Sequence, residues 1–398
     1  MRQHVLLLFI FLLYNIAVHA QNDRAIHEKA VVVDTHNDVL SSATMRGLNI
    51  ENDLTGKTHS DIARFKKGGV DIQVFSVFCD ETFGKDTAFR FASIEIDSLY
   101  AIVERNPAQM MMVTSPADLE KAVRQKKLGS MIGVEGGHMI EDRLDYLDSL
   151  YRRGARYLTL TWNNSTSWAS SAKDEAAGED AGLEWQKKGL TVFGAEVVRR
   201  MNEMGMMIDL SHVGEQTFYD VMKLTTKPVL LSHSSVYAIC PVFRNLKDEQ
   251  IKAVAKNGGV IQVNFYSGFL DSNYQKNRKA IFERRRAERD TLEQQGWQPS
   301  AIAEWLGKKY EGEMETIRPP LSLLIDHIDH IVKLVGIDHV GLGADMDGIE
   351  SLPQELNGVQ DYPKVTKALL ERGYNEKDVL KILGGNFIRV FKANSKGL

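Results

Sequence analysis

A chain of 398 residues, 43% hydrophobic and 26% charged, with 31 glycines and 9 prolines, has the make-up of a globular protein with a sizeable core, which excludes disordered and fibrous classes. Its formal net charge of -4 offers no electrostatic case for nucleic acid or an anionic membrane surface, so a small molecule is the expected partner. Cys79 and Cys240 are the two cysteines, enough for one disulfide at most, and both are read as buried thiols.

The chain opens on Met1-Arg2-Gln3-His4 and the apolar run Val5 to Leu13, a basic start followed by a stretch too short to span a bilayer. Val18-His19-Ala20 fits a small-x-small cleavage site. Residues 1–20 are therefore expected to be a signal peptide, leaving a periplasmic or secreted chain that begins at Gln21 and has no transmembrane span. A retained anchor is the competing reading, and polar Tyr14 and Asn15 directly after the run speak against it.

Short apolar runs then recur: Val31-Val32-Val33, Ile72 to Phe75, Met110 to Val113, Met131 to Val134, Tyr157 to Leu160, Met206 to Asp209, Val229 to Leu231, Val260 to Val263 and Val340 to Leu342. Amphipathic stretches such as Ser115 to Lys127, Thr191 to Met204 and Asp248 to Lys256 separate them. Nearly continuous apolar strands alternating with helices imply a parallel sheet covered by helices. His36, Asp38, Glu135, Trp162, His212, His233, Asn264 and Asp345 each follow such a run, and a (β/α)8 TIM barrel collects its working residues at that end of its strands. A doubly wound sheet would gather them at one switch point instead. One catalytic domain over residues 21–398 is the expectation.

Asp271 to Pro320 breaks the rhythm, with Lys276, Arg278, Lys279, Arg284, Arg285, Arg286 and Arg289 among Glu283, Glu288 and Asp290. This stretch, about 271–320, is read as a charged helical insertion, either a solvated helix pair or a docking surface or flap. Pro319-Pro320 ends it before a helix from Leu321 to Val335.

The chemistry begins at Val33-Asp34-Thr35-His36-Asn37-Asp38. Residues two apart in extended chain point the same way, so His36 and Asp38 aim at one point. Glu135, His212 and His233 end three further runs. Three imidazoles and two carboxylates suit zinc, and five protein ligands exceed what one catalytic zinc with an open position uses, so a two-metal site follows. Manganese or cobalt could occupy the same ligands. A carboxylate bridging ions about 3.5 to 4 Å apart would serve an acyl transfer, and Glu135, flanked by glycines and central in chain order, is the natural bridge.

The blocks Asp34-Thr35-His36-Asn37-Asp38, Gly133-Val134-Glu135-Gly136-Gly137-His138, Tyr157-Leu158-Thr159-Leu160-Thr161, Ile208-Asp209-Leu210-Ser211-His212, Ser232-His233-Ser234-Ser235, Arg244-Asn245 and Gly343-Ala344-Asp345-Met346-Asp347-Gly348 resemble, in order from about residue 27 to 392, the membrane (renal) dipeptidase family. The resemblance implies a (β/α)8 barrel, two Zn2+ per chain, and hydrolysis of dipeptides by a metal-bridging hydroxide with breadth at the C-terminal residue. It assigns His36 and Asp38 to one zinc, His212 and His233 to the other, and Glu135 to both. Arg244 matches a substrate-binding arginine, whose fork suits the free α-carboxylate of a dipeptide. Asp345 matches an acidic residue placed to move the proton from water to leaving amine, with Asp347 as the alternative.

Trp162 departs from the family, many of whose members carry a histidine there; it is read either as a pocket-lining residue with Asn163 or Asn164 supplying a hydrogen bond or as a packing tryptophan. Asn264 and Tyr266 join it as expected substrate contacts. His59, His138, His327, His330 and His339 are not promoted, and Cys240 lacks a base to make it a nucleophile. Two other functions compete: a two-metal hydrolase of another amide or ester, such as an N-acyl amino acid amidohydrolase or lactonase, and a non-catalytic barrel that binds a ligand. A homodimer is compatible with the sequence.

Overall fold

Residues 23–177 and 189–395 are described in the computed structural model; the expected signal peptide lies outside them. Nine apolar, mostly β-branched or methionine-rich segments form β1 (Val33–Asn37), β2 (Ile72–Val77), β3 (Met110–Met112), β4 (Leu128–Glu135), β5 (Ala155–Thr159), β6 (Met207–Asp209), β7 (Leu230–Leu231), β8 (Val260–Val263) and β9 (Val340–Leu342). All pair in parallel, in the order β1-β2-β4-β5-β6-β7-β8-β9. The ends meet: Asn37 bridges Met346, Asp38 N–H donates to Met346 O at 2.9 Å, and Asp345 N–H donates to His36 O at 3.1 Å. The result is a nearly closed eight-stranded (β/α)8 barrel.

The third apolar run is not one of its staves. β3 lies beside Leu128 to Ser130 of β4, while β5 takes the same flank of β4 from Ile132 onward. An eight-residue strand is long enough to hold two short partners end to end.

Helices between the strands have local causes. Ser115 and Thr191 cap Pro116–Gln125 and Val192–Met204 by accepting from the amides of Asp118 and Gly194. One buried cluster takes Val33, Val74, Met131, Tyr157, Met207, Leu230 and Val260 from seven staves and closes on Phe387, Val390 and Phe391 of the C-terminal helix Asn386–Asn394. Gly133 makes room inside the barrel, because a Cβ there would lie 1.9 Å from the Tyr157 ring. Among the described residues no helix is long and apolar enough to cross a membrane.

Between β8 and β9 the chain forms Ser272–Glu283, Arg286–Gln294, Pro299–Lys309 and Glu311–Thr316, more than a helix pair. Leu292, Ile302 and Leu306 give these helices a small core of their own. Their charges meet each other: Arg284 and Arg285 both reach Glu313, and Lys309 reaches Glu288.

A candidate metal centre at the barrel rim

His36, Asp38, Glu135, His212, His233 and Asp345 stand at or just past the C-terminal ends of β1, β4, β6, β7 and β9, and all are buried. Asp38 does not continue the extended strand; its backbone turns (φ -97, ψ 18) and is held by Met346. The structure nonetheless brings His36 Nε2 to 3.4 Å from Asp38 Oδ2 and 3.4 Å from Glu135 Oε2. On the other side, His212 Nε2, His233 Nε2 and Glu135 Oε1 form a triangle with sides of 2.9, 3.0 and 3.4 Å.

Those separations fit a cation. Two donors bound at about 2.0 to 2.1 Å to one tetrahedral ion lie about 3.3 Å apart. Glu135 turns Oε2 toward His36 and Oε1 toward His212 and His233, so its two oxygens serve different groups of imidazoles. His36 Nε2 and Asp38 Oδ1 are buried and lack a hydrogen-bond partner, the state of atoms awaiting a ligand. Asp345 also joins: its carboxylate, His36 and Asp38 place donor atoms within 4.8 Å of one another.

Each ring is oriented through its other nitrogen, leaving Nε2 for the centre. His36 Nδ1 meets Tyr157 Oη at 2.8 Å, His212 Nδ1 meets Asn163 Oδ1 at 3.1 Å, and His233 Nδ1 meets Ser232 Oγ at 2.7 Å. Beneath them Asp209 accepts from Thr159 Oγ1, Ser232 Oγ and the amides of Ser211 and Ser232. Sequence reasoning missed Tyr157, Asp209 and Ser232 in these roles. A carboxylate ending the apolar run Met206-Met207-Ile208-Asp209 was the available signal. Asn163, one of the two asparagines expected to supply a hydrogen bond, turns its Oδ1 to His212.

The electrostatics favour a cation as well. Burial pushes His212 down to about 4, with Arg244 adding to it, and pushes His233 well below the usual imidazole value, so both present neutral lone pairs. Burial resists ionisation of Glu135, yet His36, His212 and His233 hold it well below the usual carboxylate range. Burial also opposes charge on His36, but Tyr157, Glu135 and Asp38 keep it well above its ordinary value. A site that draws a proton onto a buried imidazole draws in metal ions for the same reason. His212 (φ 67) and Asp345 (φ 60) are among the residues with left-handed backbone, which non-glycine residues take uncommonly.

Arg244 is fully buried near His233, donating from Nη2 to His233 O at 3.1 Å, while its Nε has no partner. No carboxylate is hydrogen-bonded to it among the described residues, although Asp345 and Glu135 lie within electrostatic reach. Arg244 and His212 line the same cleft, about 410 Å³, which runs outward past Tyr237, Phe243 and Lys247. Trp162 borders the site half-buried, its ring 5.0 Å from Phe78 and 6.4 Å from His212.

Asn264 and Tyr266, expected to touch substrate, are tied into hydrogen bonds within the protein. Asn264 Nδ2 donates to Asp345 Oδ2 at 2.8 Å, and its Oδ1 accepts from Tyr266 N–H. Tyr266 Oη donates to Glu350 at 2.6 Å. Asp347 spends its Oδ1 on the amide of His59 at 2.6 Å, which leaves Asp345 as the aspartate facing the cluster. Both cysteines are free, buried and pushed up, Cys79 to about 12 and Cys240 to about 11, so neither pairs nor ionises readily. His327 is a buried strut between Val236 N–H and Leu270 O.

A parallel barrel that gathers three imidazoles and three carboxylates at its C-terminal rim has the build of a metal-dependent hydrolase. The sequence model of membrane dipeptidase (peptidase family M19) matches residues 20–396; the chain belongs to this family and is a metallo-dipeptidase. Solved structures share the fold. The probable dipeptidase PvdM from Pseudomonas aeruginosa is 23% identical, with 95% of this chain and 98% of that one covered at a TM-score of 0.76. The dipeptidase AC, a metallo peptidase, is 22% identical over 92% and 98%, TM-score 0.74. A metallo peptidase from Rhodobacter sphaeroides, liganded with a phosphinate mimic of the dipeptide L-Ala-D-Ala, is 21% identical over 92% and 99%, TM-score 0.71.

Proposed function

We propose that this chain hydrolyses dipeptides with two zinc ions, His36 and Asp38 holding one, His212 and His233 the other, and Glu135 both. The observation that carries the reading is the split of Glu135, one oxygen toward His36 and one toward His212 and His233. When bound, such ions would supply Lewis-acid polarisation of the scissile carbonyl and would acidify a water to serve as nucleophile.

The chain's own residues supply position and protons. Arg244 offers unpaired N–H donors, and a dipeptide's free α-carboxylate would satisfy them bidentately. Asp345 has Oδ2 occupied by Asn264, so Oδ1 is the atom left to take the proton of the attacking water. As the new C–O bond forms and the C–N bond breaks, that proton passes to the leaving amine and two amino acids depart. Gly348 keeps this face open, since a Cβ there would lie 2.6 Å from Asp345 Oδ1. Burial, with help from Asp38 and Glu135 and against His36, holds the Asp345 carboxyl well above its usual range. The cleft beyond Arg244 opens to a rim of Tyr237 and Phe243, both exposed, which accommodates varied C-terminal side chains. An export signal over residues 1–20 would deliver this activity to the periplasm or outside the cell.

A panel of L-L, L-D and glycyl dipeptides, assayed with and without chelator beside N-acyl amino acids and lactones, tests the reading. Turnover of dipeptides, abolished by chelator and restored by zinc, is expected. Faster turnover of substrates lacking a free α-carboxylate would replace it with the broader hydrolase reading.

A further inference from the structure

The insertion touches the active-site rim chiefly through its first helix, Ser272–Glu283. Tyr274 is fully buried and packs edge-on against Tyr266, ring centres 5.9 Å apart. Its neighbour Gln275 lies over Gly268 and donates from Nε2 to Tyr266 Oη at 2.7 Å. Tyr266 Oη in turn donates to Glu350, which also faces Arg278 at 3.5 Å. Tyr274, Gln275 and, through Glu350, Arg278 of one helix thus bear on a single phenol.

That phenol belongs to the arm holding Asp345. Tyr266 N–H donates to Asn264 Oδ1 at 2.6 Å, which fixes the amide so that its NH2, not its oxygen, faces Asp345 Oδ2 at 2.8 Å. The reverse amide orientation would set two acceptors against each other. A carboxylate whose one oxygen is bonded by a locked donor has its other oxygen aimed, and proton transfer depends steeply on that aim.

We propose that this helix is a positioning element for the reaction. Gln275 and Tyr274 hold Tyr266, Tyr266 holds Asn264, and Asn264 sets the free oxygen of Asp345. Tyr266 and Asn264 are then positioning residues and make no substrate contact. The inference rests on the reading of Asp345 as proton carrier.

Tyr266→Phe removes both phenol bonds while keeping the ring, and Gln275→Ala removes only the helix's grip. In the zinc-loaded protein, Tyr266→Phe should lower kcat about 10-fold and Gln275→Ala about 3-fold, with KM within about 2-fold and metal content unchanged. In an Asp345→Asn background neither should lower the residual kcat further, and Tyr266→Phe should add nothing to Asn264→Ala, because residues acting through one group are not additive. A raised KM at unchanged kcat would make Tyr266 a substrate contact and overturn the proposal. Equal losses with and without Asp345, or a lowered Tm at unchanged kcat, would reduce the helix to a scaffold. Full activity of Asp345→Asn alone would instead remove the proton-carrier reading itself.

Discussion

In the insertion between β8 and β9 charge meets charge at the surface, whereas at the barrel rim charge is buried and left partly unmatched. Arg284 and Glu313, or Lys309 and Glu288, pair with side chains roughly half exposed, where such bonds contribute little. His36 Nε2, Asp38 Oδ1 and Arg244 Nε are sealed from water with no partner; Arg278, Arg285 and Arg289 of the insertion also leave Nε unbonded, but each of those guanidiniums faces a carboxylate, which among the described residues Arg244 does not. Each such group at the rim costs about 1 to 3 kcal/mol in a folded chain, and the cost is offset only when a ligand arrives. The contrast separates charge that keeps a surface solvated from charge that waits for metal and substrate.

The sharpest way to break the contrast is at its centre. Glu135→Gln should strip most of both metals and lower kcat/KM by about 10³-fold or more, as read by metal analysis and dipeptide kinetics. Loss of one ion with the other retained at full affinity would end the bridging role. Arg244→Ala comes next. For dipeptides KM should rise about 10- to 100-fold, the worth of a charge-assisted hydrogen bond of about 1.5 to 3 kcal/mol. Dipeptide amides, poor substrates already, should change little, and an equal loss on acids and amides would make Arg244 structural. Asp209→Asn should weaken zinc about 10-fold in chelator competition, since its bonds reach His233 through Ser232; unaltered affinity would confine Asp209 to strand packing. The smallest effect belongs to the insertion. Arg284→Ala should leave kcat unchanged and shift unfolding free energy by no more than about 0.5 kcal/mol, and a larger shift would show that surface pairs there act as a network.

Much of the rim was legible because parallel strands put their polar ends in one place, so His36, Glu135, His212 and His233 could be read off the ends of apolar runs. Apolar character alone does not say which strand pairs with which, and Met110–Met112 therefore looked like a stave although it flanks β4. Asn264 and Tyr266 were visible as residues, but their hydrogen bonds were not. Their partners Asp345 and Glu350 lie 81 and 84 positions away, and no local pattern carries such a bond. Asp38 was placed beside His36 by strand alternation, while the fold achieves the placement by a turn pinned to Met346. The insertion's charge run announced helices facing water, but its small core of Leu292, Ile302 and Leu306 depends on folding back that composition does not encode.

The seam between β1 and β9 also sets an order of events during synthesis. His36 and Asp38 leave the ribosome early, but the strand that completes their surroundings comes late: Asp34 Oδ1 accepts from Ala344 N–H across 310 positions. Until those ends dock, β1 is an open edge, a template for pairing between unfinished chains, and so distant a closure is slow. The rim that gathers the candidate ligands is therefore complete only in the finished chain. A polypeptide cut short before Gly343 would leave β1 without its closing partner, an aggregation-prone sheet and not a weakened enzyme.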